Sequence, residues 1–167
     1  MKNLLRIAAC MLIIGSLQSC FSAKIESSKQ ASYNEKLYKV YIIVNGAKET
    51  KNFSQTFFTG LKAKLREKNI QSNGFLRDPL SLDTEEDVLK KINDYDPQAL
   101  LVIKQTHITY TNGTVTDAKL DLTLIDGKTQ KPVWKGLAKV YGAFGITESA
   151  EVAVNNVIKK LQEDKLI

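Results

Sequence analysis

The apolar positions fall into three kinds of rhythm along the chain. "LYKVYIIVNG" (37–46) is an apolar, β-branched run closed by Asn45-Gly46, which predicts a strand. In "NFSQTFFTGLKAKLREKN" (52–69), Phe53, Phe57, Leu61 and Leu65 recur every four residues with Phe58 beside them. That is one face of a helix. Asn52 is placed to cap it, with Gln55 three residues on, and lysines and arginine crowd its C-terminal half. "IQSNGFL" (70–76) predicts a short strand. "DTEEDVLKKINDY" (83–95) predicts a second helix: Asp83 and Glu86 have capping-box spacing, acids fill the first turn, and Val88, Leu89, Ile92 and Tyr95 form the apolar stripe. "ALLVIKQTHITY" (99–110) reads as a strand buried on both faces at its start and alternating later.

Asn112-Gly113 is a hairpin signal. The strand after it, "TVTDAKLDLTLID" (114–126), alternates with Leu120, Leu122 and Leu124 on one face. Asp126-Gly127 turns the chain into "PVWKGLAKVYG" (132–142). Trp134, Gly136, Ala138 and Val140 would face the helices, the small residues admitting a helix. Val133, Lys135, Leu137, Lys139 and Tyr141 would lie on the half-wet opposite face. "TESAEVAVNNVIKKLQEDKL" (147–166) closes as a helix with Ala150, Ala153, Val154, Val157, Ile158 and Leu161 inward. The order β-α-β-α-β-β-β-α predicts an α/β (α+β) two-layer sandwich: a mixed sheet of about five strands, about three helices, and all helices on one face.

The N-terminus changes the picture. "MKNLLRIAACMLIIGSLQSC" has a basic start at Lys2 and Arg6, then an apolar run and small or polar residues before Cys20. This is the layout of a secretory signal. The strongly apolar part, Ile7 to Leu17, is too short to span a membrane: as a helix it reaches about half of a ~30 Å hydrocarbon layer. Leu17, Ser19 and Cys20 resemble the lipobox of bacterial lipoproteins, with Gln18 departing from the usual small residue. The resemblance implies cleavage after residue 19 and lipidation of Cys20, with several acyl chains fixing the protein to its membrane. Phe21 stands where an aspartate would mark inner-membrane retention, and no acidic cluster follows. An outer-membrane anchor with the domain facing the periplasm is therefore expected. The division is 1–19 signal, 20–36 flexible tether, its composition Ser-rich and aperiodic, and 37–167 a single domain.

Of 167 residues, 43% are apolar and 25% charged, as in an ordinary globular chain. Losing Lys2 and Arg6 takes the basic count from 24 to 22 against 18 acids, and the net charge from +6 to +4. Such an excess reads as a solvated basic surface, and the export signal argues against nucleic acid. Cys10 leaves with the signal, so the mature domain has no thiol pair for a disulfide or a metal. His107 is the single histidine, set on a strand without a partner nucleophile or further ligands, and it reads as a strand-face histidine bonded to a neighbour or to water. Asp83, Glu85, Glu86 and Asp87 serve a helix start. No phosphate-cradling glycine motif occurs, and "YGAFG" (141–145) reads as a turn. No enzyme chemistry, cofactor or metal is expected.

Two phrases, "YDPQALLVIK" (95–104) and "LDLTLIDGKTQKPVWKG" (120–136), resemble segments of small envelope lipoproteins: the outer-membrane activators of penicillin-binding proteins, the curli-secretion lipoprotein and the N-terminal domain of the Tol–Pal translocation protein. The resemblance implies a protein-binding or assembly role and carries no catalytic residue. The expected working surface is Lys135, Leu137, Lys139 and Tyr141, an apolar centre among lysines that suits another envelope protein. The alternative is a binding module for a small apolar or glycolipid ligand in a cavity lined by Phe53, Phe57 and Trp134.

Overall fold

The computed structural model describes residues 22–47, 50–78, 80–111, 114–141 and 145–167. The elements are β1 (Ser22–Lys29), β2 (Lys39–Asn45), α1 (Lys51–Glu67), β3 (Gln71–Arg77), α2 (Glu85–Tyr95), β4 (Ala99–Thr111), β5 (Thr114–Asp126), β6 (Pro132–Tyr141) and α3 (Ile146–Glu163). They build one α+β unit on a mixed six-stranded sheet, in the order β1-β6-β5-β4-β2-β3. β2 runs parallel to β3 and β4, and β4, β5, β6 and β1 are successively antiparallel. The hairpin residues Asn112-Gly113 and the signal and lipidation residues up to Cys20 lie outside the described residues.

The helices do not share one face. Phe53, Phe57, Leu61 and Leu65 of α1 and the inward stripe of α3 pack with Val40, Ile42, Val44, Leu120, Leu122, Leu124 and Trp134 in the main core. Val88 of α2 packs on the opposite side with Tyr41 and Ile43, flanked by Phe75, Ile92 and Tyr95. Crossover handedness explains this. The β2–α1–β3 unit steps outward to the sheet edge, and β3–α2–β4 steps back across β2. Two right-handed crossovers in opposite directions place their helices on opposite faces. α2 thus forms a partial third layer over β2, β3 and the start of β4, and among the described residues no helix covers the outer faces of β5, β6 and β1.

Residues 22–36, within the segment whose composition predicts a free tether, are ordered, and the folded unit starts well before Leu37. Ser22–Lys29 pairs antiparallel with β6 along its whole length, adding a sixth, edge strand. Gln30 donates its backbone N–H to Val133 O (2.9 Å) and its side-chain amide to Pro132 O (2.7 Å). Tyr33 is buried in the main core. The polar composition misleads because an edge strand over a wet face needs few apolar residues, and its backbone pairing carries the ordering.

Local details differ as well. The N-cap of α1 is Thr50, without a side-chain cap bond, so Asn52 lies inside the helix. α2 is capped by Thr84 and Asp87, whose side chains and backbone amides bond reciprocally, while Asp83 pairs with Lys91 at 2.6 Å. Val133 is buried, since the register slips between Leu124 and Ile125 and turns the start of β6 inward. Gly74 is required: its φ is +150°, and a Cβ there would sit 1.9 Å from the Ile42 carbonyl oxygen.

Candidate functional site

Four residues were expected to form a working surface, and the sheet brings them together as predicted on its outer face. Along β6, Trp134, Gly136, Ala138 and Val140 are buried, whereas Lys135 and Tyr141 are exposed and Leu137 and Lys139 half-buried. Cross-strand pairing widens this stripe into rows. In one row, Lys24, Lys139, Lys119 and His107 are successive partners across β1, β6, β5 and β4. The next row is Glu26, Leu137, Asp121 and Lys104. Lys24 reaches Glu26 at 3.2 Å, and that contact, helped by the charge of Lys139, holds the Glu26 carboxyl below its usual range. The pattern along β6 was readable from period-two alternation. Lys24 and Glu26 were missed, because nothing local in "SAKIESSK" announces a strand.

Three like charges directly opposite one another on adjacent strands repel. Glu26 and Asp121 in the neighbouring row offset part of this. His107 Nε2 lies 3.0 Å from Thr109 Oγ1, as a solvent-facing strand histidine would. Three of the four residues in the predicted acidic set have local partners: Glu85 pairs with Arg77 at 2.5 Å, Asp83 with Lys91, and Asp87 with the Thr84 cap. Among the described residues, no group of three or more His, Cys, Asp or Glu side chains is placed to hold a metal ion. No helix among them is long and apolar enough to cross a membrane.

The ligand alternative asked for a cavity between sheet and helices. Phe53, Phe57 and Trp134 are instead fully buried in the main core, the two phenylalanine rings stacked at 6.2 Å. Clefts lie at the surface. One of about 300 Å³ sits at the C-terminal ends of β2 and β3 beside the first turn of α1, lined by Gly46, Lys51, Ser54, Leu76 and Arg77. Another of about 270 Å³ separates α2 from the outer face of β4 and β5.

The fold and its open face define an α+β domain of a kind already seen in solved structures. The chain is similar to PelC from Paraburkholderia phytofirmans, solved as a dodecamer: TM-score 0.59, 14% identity, 84% of this chain and 98% of that chain covered. It is similar to a point variant of that dodecamer, with TM-score 0.56, 15% identity and the same coverage. At these identities the likeness is one of fold. No protein-family profile and no curated protein sequence matches the chain.

Proposed function

We propose that this chain is a bacterial envelope lipoprotein, anchored through Cys20, whose domain acts as a self-assembling, protein-binding module and not as an enzyme. The observation that carries the reading is the outer face of β5, β6 and β1: lysines around Leu137 and Tyr141, with no helix over them among the described residues. A half-apolar patch with a charged rim suits a protein partner. The fold supports self-assembly as part of that role, since it matches nearly the whole of a chain that forms a dodecamer. The signal layout and the lipobox-like Leu17-to-Cys20 stretch support the anchor and the periplasmic side of the outer membrane. The resemblance to envelope lipoproteins points the same way.

The anchor would have a short reach. β1 starts at Ser22, so only Phe21 separates Cys20 from the folded domain. The module would then sit against the membrane surface instead of ranging from it on a long leash. Phe53, Phe57 and Trp134 are each packed among the side chains of the main core, so the reading does not rest on a ligand held between them.

The test is crosslinking in intact envelopes with the full-length protein as bait, combined with sizing of the detergent-purified chain. Self-crosslinks, a mass above the monomer and specific envelope partners are expected. A monomer without specific crosslinks would refute the reading.

A further inference from the structure

A second exposed patch stands at the other end of the sheet, and it is the chemical opposite of the lysine face. Between residues 77 and 96 there are seven acidic residues against three basic ones. The loop entering α2 and the helix itself also expose Leu82 (96%), Leu80 (74%) and Leu89 (56%). Single exposed leucines are ordinary, but three within one short acidic segment make a patch. α2 sits over β2 and β3, at the opposite lateral end from β6 and β1.

We propose that these two patches are the two halves of one head-to-tail interface: the Leu80/Leu82 loop and first turn of α2 from one copy dock on the lysine row around Leu137 and Tyr141 of the next. The proposal rests on the self-assembly reading above and names its contact. Three observations carry it. The lysines at 24, 139 and 119 stand opposite one another, an arrangement that costs stability in the monomer and is offset by carboxylates brought from outside. The acidic patch brings carboxylates: Glu86 is exposed, and its charge is not needed by the Thr84–Asp87 cap. The two patches also lie at the same height. One row of partners crosses the whole sheet: Arg77, Asn45, Lys104, Asp121, Leu137 and Glu26. The lysine row and Tyr141 lie just beyond it towards one end of the sheet, and β3 points from Arg77 to Asp78 towards that same end. Rotation about an axis roughly along the strands therefore brings one patch to the other without sliding along the strand direction. Two different patches make a heterologous contact, which closes into a ring when the rotation divides the circle.

The full chain, purified in detergent, is sized by sedimentation velocity in four forms: wild type, K119E/K139E, D83K/E86K and the four-fold combination, with circular dichroism as the folding control. Each double variant is expected to raise the concentration at which the assembly dissociates by about tenfold or more, and the combination to restore it. Folded double variants that keep the wild-type assembly, or a combination that fails to restore it, overturn the interface while leaving self-assembly in place. A wild-type monomer overturns self-assembly itself. K119E/K139E that assembles normally yet loses binding to vesicles containing anionic phospholipid would assign the lysine row to a lipid surface and refute the docking.

Discussion

The indole Nε1 of Trp134 donates a hydrogen bond of 2.6 Å to the carboxylate of Asp164, joining the start of β6 to the C-terminal end of α3. Ser27 of β1 donates to the same oxygen at 2.5 Å, and Lys160 lies 3.1 Å from the other. One carboxylate thus ties the edge strand, the hairpin and the last helix together. The ring of Trp134 is 1% exposed. Trp134→Ala is expected to cost about 3–5 kcal/mol in a denaturant titration, since it leaves a large cavity and an unpaired carboxylate. An unchanged midpoint would mean that the ring does not pack in the core.

Asp164 should also set an acid limit. Burial raises its pKa, but the hydrogen bonds from Ser27, Trp134 and Lys160 outweigh that and hold it below its usual range. The folded carboxyl therefore ionises more readily than the unfolded one. Its stabilisation is fully present above the unfolded value near ~3.9 and is lost as the pH falls through the lowered folded value. Asp164→Asn should be less stable than wild type at neutral pH, with the gap closing as the pH falls below about 4. A gap that stays constant over that range would show that the carboxyl gains nothing from its partners.

Gly136 lies beneath the same ring. A Cβ there would meet Trp134 Cη2 at 2.5 Å, so the space left by this glycine is filled by the indole and not by an approaching helix. Gly136→Ala should destabilise by about 1–3 kcal/mol through overpacking, read as a lower thermal midpoint. A neutral result would show that the indole can shift without cost.

Tyr33 offers a test of the N-terminal segment. Burial, aided by the charges of Asp126 and Glu35, pushes its hydroxyl up to about 12, and that hydroxyl has no hydrogen-bond partner among the described residues. Tyr33→Phe should keep or raise the thermal midpoint, because it removes an unsatisfied buried polar group. Tyr33→Ala should lower the midpoint by about 3–5 kcal/mol in free-energy terms if the ring is core. Equal stability of both variants would place the segment outside the fold.

Cys20→Ala is expected to abolish acylation and leave unprocessed or mislocalised protein, read by mass spectrometry of the membrane fraction. A native protein whose mature chain starts elsewhere without lipid would rule out the anchor.

Much of this fold is legible in the sequence because amphipathic periodicity is a local signal. The spacing of Phe53, Phe57, Leu61 and Leu65 marks the buried stripe of α1. The alternation from Trp134 to Tyr141 assigns both faces of β6, including the exposed stripe of the candidate surface. What the sequence leaves open is whatever depends on long-range partners. "SAKIESSK" becomes a strand because an edge of β6, more than a hundred residues away, supplies its hydrogen bonds. α2 lies opposite α1 and α3 because of the direction in which the chain steps across the sheet, although its own stripe looks like theirs. Lys24, Lys139 and Lys119 become one charged row only through strand register. A side chain's face is fixed by its own backbone period, whereas its neighbours are fixed by topology, and topology is set by the packing of the whole chain.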